Sequence, residues 1–256
     1  AEVTHVCCDN PKDTQQVADA ACIPNPVADP TDVIGQVDAV VIATDIGAEH
    51  VQRARPFIEA GLPVFIDKPL TDNEPDLRRF IDWWQAGRAI LSTSCMRYAR
   101  EFIALRDDLP AVGDPRLIVC TMAKSWERYG IHAVEAVYHL LEPGGWRNVV
   151  NTGSRERNVV HIRHDSGVDV LLPTIADLYG GFAHVTLSGT QATRHVPFTD
   201  TFNAFKDQLI GWVDYLRTGR LPVPREQTIE QMKLIIAGLR SRESDGRRIP
   251  LTEIHP

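Results

Sequence analysis

The stretch VFIDKPLTD, residues 64–72, is an apolar run that stops at an acid, a lysine and a proline. Val64, Phe65 and Ile66 are β-branched or aromatic and do not alternate with polar residues, the pattern of a parallel strand covered on both faces. Pro69 has no N–H to give a sheet ladder, so the strand ends before it. Asp67 and Lys68 therefore stand at the strand's carboxyl end. In open α/β sheets that edge is where ligands bind.

Working outward, DAVVIAT (38–44) reads as the preceding strand. GAEHVQRARPFIEAG (47–61) reads as an amphipathic helix stopped by Gly61. Upstream, VTHVCCD (3–9) is a strand and PKDTQQVADAA (11–21) a helix opening on proline. Downstream come a helix from Thr71 to about Gly87 and the strand RAILSTS (88–94). This alternation specifies βαβ units and a parallel sheet. Beyond Gly113 the pattern changes. RLIVCTMA, NVVHIRH, VDVLLPTI and FAHVTLSG are closely spaced strands, with turns at Asp165-Ser166-Gly167 and Gly180-Gly181. A helix at about 129–142 interrupts them, and long helices at about 199–218 and 226–242 follow. The expected organisation is a Rossmann-like α/β domain over 1–112, then an α+β domain with a largely antiparallel open sheet over 113–256. The C-terminal segment is expected to pack back on the first domain.

The chain has 256 residues, 43 % hydrophobic and 24 % charged, the composition of an ordinary globular protein. A net charge of −7 argues against nucleic acid or an anionic membrane as the main partner. No apolar stretch approaches the roughly 20 residues that span a bilayer. Cys7, Cys8, Cys22, Cys95 and Cys120 lack metal-ligand spacing and read as free thiols in a reducing, cytoplasmic setting; no metal site is expected.

Together these stretches resemble the Gfo/Idh/MocA family of nicotinamide-dependent oxidoreductases over nearly the whole chain. DAVVIAT…H…AGLPVFIDKP matches the family's strand, helix and EKP segment, with Asp67 for the usual glutamate and one extra residue between Thr44 and His50. STSCMRYA carries the family's arginine and aromatic as Arg97 and Tyr98. YGIHAVEAVYHLL matches the helix bearing the catalytic histidine, here His132, and RRIPLTEI the closing segment.

The resemblance implies an NAD- or NADP-dependent oxidoreductase acting on a sugar, cyclitol or related polyol, as a homodimer or homotetramer. It implies cofactor contacts at Asp9, Thr44, Asp45, His50, Asp67 and Lys68, and catalytic roles for Lys68 and His132. Two departures accompany it. The first visible strand corresponds to the second Rossmann strand and no G-x-G-x-x-G occurs, so the native polypeptide is expected to begin before Ala1. Such a segment could also carry an export signal. Arg128 stands where the family has an aspartate four residues before its histidine. Tyr129 or Lys124 are the candidates to replace it as proton donor, or to hold an anionic substrate with Trp126 and Arg128.

Each candidate has a bland counterpart. Asp9 either accepts from ribose hydroxyls or caps the helix before Pro11. Asp45 either meets the cofactor or caps the following helix. Lys68 is either a donor to the substrate oxygen or a solvated strand end. His132 either exchanges a proton near pH 7 or lines the core. Arg97 either binds a carboxylate or phosphate bidentately or makes an interdomain salt bridge. The alternative function is a catalytically silent relative that binds a sugar or nucleotide as a regulatory or scaffold subunit. Redox-neutral chemistry with bound NAD is a further rival.

Overall fold

The computed structural model describes residues 1–180 and 182–256. Gly181, half of the expected Gly180-Gly181 turn, lies outside the described residues. The first half alternates short strands with helices: β1 (His5–Val6), α1 (Pro11–Ala21), β2 (Asn25–Pro26), β3 (Val40–Ile42), α2 (His50–Glu59), β4 (Val64–Ile66), α3 (Glu74–Gln85) and β5 (Ile90–Leu91). β4 lies between β3 and β5 and pairs parallel with both, its three residues buried as the unalternating run predicts. β1 pairs parallel with β2 in a separate small sheet. The helices α4 (Arg100–Asp107) and α5 (Leu109–Val112) close this half, and Gly113 turns the chain with φ +77°.

The second half contains β6 (Pro115–Ala123), α6 (Trp126–Tyr138), β7 (Trp146–Asn151), β8 (Arg157–His164), β9 (Asp169–Ile175), β10 (Phe182–Gly189) and β11 (Thr193–Pro197). After them come α7 (Thr201–Thr218), α8 (Arg225–Glu243) and β12 (Ile249–Pro250). Among the described residues they make one sheet in the order β11-β10-β6-β9-β8-β7-β12. It is antiparallel except for β6 with β9. One face is apolar and buried beneath α6 and α8, through Ile118, Cys120, Val160, Ile162, Val170 and Leu172. Among the described residues no helix is long and apolar enough to cross a membrane.

Several expected boundaries shift. The strand read over 88–94 is paired only at Ile90–Leu91, because Ser94 leaves the sheet to cap a 3-10 turn over Cys95–Tyr98. The helix read from Thr71 starts at Glu74, where the Asn73 side chain accepts from the Asp76 N–H. α6 starts three residues earlier than expected. The closing segment adds β12 to the second sheet by pairing with β7. It also reaches the first half, since the Glu74 carboxylate accepts from the His255 N–H at 2.8 Å and pairs with Arg240. α7 lies on the first sheet through Trp212 and Tyr215 against Phe65 and Leu91.

Candidate active site

The site is built where the carboxyl ends of β3 and β4 meet the start of α6. After β3 the chain turns away at Thr44, whose Oγ1 is buried with no hydrogen-bond partner among the described residues. A buried hydroxyl left unpaired in this way invites a ligand oxygen or amide. His50 is fully buried, with Nε2 2.9 Å from the Thr44 carbonyl and Nδ1 3.1 Å from the Leu70 carbonyl. Both ring nitrogens are used inside the protein. His50 therefore ties the loop after β3 to the segment after β4, and the cofactor contact expected of it has no free nitrogen to make it.

Lys68 is 8 % exposed, which removes the solvated strand-end reading. Its ammonium lies 3.6 Å from Asp67 Oδ2 and 4.7 Å from the centroid of the Tyr129 ring. Burial pushes the Asp67 carboxyl above its ordinary range, opposed by the neighbouring Lys68 charge. No carboxylate sits within hydrogen-bond distance of Lys68 among the described residues, so its donors are open to a ligand.

α6 brings the second half to the same place. Lys124, at the end of β6 with φ +69°, donates from Nζ to Tyr129 Oη at 2.7 Å and lies 4.3 Å from that ring's centroid. Two ammonium groups thus flank one phenol ring. His132 follows Tyr129 by nearly a helical turn. The two ring centroids are 5.1 Å apart, and Phe182 lies 5.3 Å from the imidazole. Ser94 Oγ is 2.6 Å from His132 Nδ1. Arg128 Nη1 reaches to 3.9 Å from Asp45 Oδ2, bridging α6 and the loop after β3. Asp45 caps no helix: the cap position of the short turn that follows is Ile46.

Burial, with the Lys68 and Lys124 charges added, holds the His132 pKa well below 6.5. The imidazole is neutral at pH 7, so the titration near neutrality expected of it is absent. The sign for stability follows from this. An unfolded histidine takes up a proton as pH falls through about 6.5, while the folded ring refuses it, so stability is lost below that pH and is unaffected above it. Half-buried His139 is shifted the same way, chiefly by desolvation. The urea midpoint should fall as pH drops from about 7.5 to 5.5, less steeply in His132→Phe than in the unaltered protein. Equal slopes would contradict a neutral buried His132.

Three expected site residues are engaged elsewhere. Asp9 makes a two-pronged pair with Arg53, both contacts 2.8 Å, and Asn10 rather than Asp9 caps α1. Arg97 pairs with buried Glu135, donates to Gln227 Oε1 at 3.0 Å and stacks over Tyr138 at 4.8 Å. That is the interdomain salt bridge, not a free fork for a substrate anion. Trp126 is fully buried and donates from Nε1 to the Ile235 carbonyl at 3.0 Å. Gly130 and Gly238 leave the hollow it fills: an added Cβ would come 2.5 Å and 2.4 Å from the indole. The expected substrate contact is thus a core wedge between α6 and α8. Ser94 and Glu135, which no sequence motif marks, join this network. A glutamate inside the apolar run IHAVEAVY was the available signal for a buried ion pair.

Among the described residues no group of three His, Cys, Asp or Glu side chains could hold a metal. Burial pushes the Cys95 and Cys120 thiols up to about 12, leaving both unreactive.

Residues 1–93 match the family described as "Oxidoreductase family, NAD-binding Rossmann fold", Gfo/Idh/MocA. A similar protein is inositol 2-dehydrogenase 1 of Saccharopolyspora erythraea, 36 % identical over 99 residues. That match covers 36 % of this chain and 29 % of the relative. Myo-inositol 2-dehydrogenase of Lactobacillus plantarum shares the fold with a TM-score of 0.83 at 14 % identity, over 98 % of this chain and 91 % of that one. An oxidoreductase of Agrobacterium radiobacter, solved with NAD+, L-tartaric acid and magnesium, has a TM-score of 0.80 at 15 % identity over the same shares.

Proposed function

We propose, from the match of residues 1–93 to the NAD-binding Rossmann segment of the Gfo/Idh/MocA oxidoreductase family, that the protein oxidises a carbinol carbon of a sugar, cyclitol or related polyol. The observation that carries this reading is the convergence of Lys68, Tyr129, Lys124 and His132 beside the unpaired Thr44 hydroxyl. Bound nicotinamide would supply the hydride acceptor. The residues fit such a group: Thr44 Oγ1 offers an unused hydroxyl, and Lys68 follows directly at the strand end. Lys68 donates to the substrate oxygen, and Tyr129, held by Lys124, is the group placed to exchange its proton. Arg128 supplies charge in place of the family's aspartate, balanced by Asp45.

Asp9 and Glu49 both contact Arg53, leaving that cluster with one net negative charge. Arg53 takes up both oxygens of Asp9, so this cluster does not choose between a ribose hydroxyl and an added phosphate, and the cofactor is NAD or NADP. Screening the intact protein against polyols while following nicotinamide absorbance tests the proposal. Turnover of at least one polyol is expected. Binding of NAD with no turnover across a broad panel favours the silent-subunit alternative.

Assembly belongs to the same reading. The sheet face away from α6 and α8 carries half-buried Leu117, Val119, Leu171 and Ile175 and exposed Val159. Such a face suits a second copy of the chain. Light scattering at micromolar concentration should give a dimer or tetramer; a strictly monomeric mass would refute it.

A further inference from the structure

We infer that Ser94 is a positioning residue that fixes His132 as a hydrogen-bond donor through Nε2. Its catalytic consequence rests on the dehydrogenase reading above; its test does not. Ser94 is fully buried, and its Oγ accepts from the Met96 N–H at 3.0 Å, capping the turn at Cys95–Tyr98. The hydroxyl proton then has one acceptor among the hydrogen bonds of the described residues, His132 Nδ1 at 2.6 Å. A hydroxyl donating there requires the lone pair on Nδ1, so the ring proton resides on Nε2. The opposite tautomer would leave a buried hydroxyl proton with no acceptor, at a real cost in stability.

The serine itself cannot drift. Its backbone N–H donates to Glu135 Oε1 at 3.4 Å, and Glu135 is held by Gln231 at 3.2 Å and by Arg97. Glu135 and His132 are three residues apart on α6, so one buried carboxylate and one imidazole grip the same serine from one helix face. The consequence is a division of labour. His132 presents Nε2–H to a substrate oxygen and cannot take that oxygen's proton through the same nitrogen. Proton exchange falls to Tyr129 with Lys124, and His132 orients.

The measurement is ring-nitrogen NMR of the intact protein labelled with ¹⁵N-histidine, near neutral pH, with His132→Asn identifying the signal. A protonated Nε2 and an unprotonated Nδ1 are expected. Ser94→Ala should lose the preference, giving a mixed or Nδ1-protonated ring, and Ser94→Thr should restore it. Turnover should fall about 10-fold in Ser94→Ala with KM little changed, the scale for losing an orienting partner. An unaltered protein with Nδ1 protonated overturns the inference, even if Ser94→Ala does not fold. So does a Ser94→Ala protein that keeps Nε2 fully protonated. The expected tautomer in a protein that turns over no polyol would uphold Ser94's role while removing the dehydrogenase reading.

Discussion

Lys68→Met should lower turnover by about 100-fold or more, the usual scale for losing a general acid or base. Methionine keeps most of the apolar stem that Lys68 buries, so the segment after β4 should hold its shape. What disappears is the ammonium, which among the described residues no carboxylate engages closer than 3.6 Å and which lies over the Tyr129 ring. Cofactor binding should survive, because the Thr44 hydroxyl is untouched. Removing a charge that disfavours imidazolium should also move the His132 pKa upward. Steady-state kinetics with a separate NAD titration checks the split between turnover and binding. Normal turnover in Lys68→Met would reduce this lysine to a packing element.

The second large effect is on stability. Trp126→Ala should cost about 3–5 kcal/mol in urea unfolding, the range for deleting a buried indole. The hollow cannot easily collapse, since Gly130 and Gly238 line it with backbone and offer no side chain to move in. The α6–α8 crossing that presents Tyr129 and His132 rests on that wedge. If Trp126→Ala instead unfolds normally and raises KM alone, the indole is a substrate wall, as its place beside Glu127 and Arg128 in the sequence suggested.

The contrast between Lys68 and Trp126 shows what could be read from sequence. The DKP stretch has a local logic: strand, charged pair, proline. Each step follows from backbone chemistry, so the strand and the place where it ends were legible. The change from parallel to antiparallel pairing beyond Gly113 was legible for the same reason, through turn residues and strand spacing. Trp126 needed long-range information, since Gly238 lies far along the chain and only the helix crossing brings it to the indole. Gly130, four residues on from Trp126, was the local half of that signal. Arg97 and Glu135 each carry a local signal, but that they pair with one another follows only when the two halves meet. Ser94 reads as the tail of a strand, and its cap and its histidine contact appear only once the chain has left the sheet.

The most direct test of the central claim is the fate of a labelled hydrogen. The intact protein would be given NAD+ and a cyclitol or sugar deuterated at its ring carbinol carbons, and the nicotinamide product examined by mass spectrometry. Direct hydride transfer predicts one deuterium on the reduced nicotinamide and a carbonyl at the oxidised carbon. A protein that binds NAD+ yet leaves the nicotinamide unlabelled and unreduced, with the substrate intact or rearranged, would contradict it.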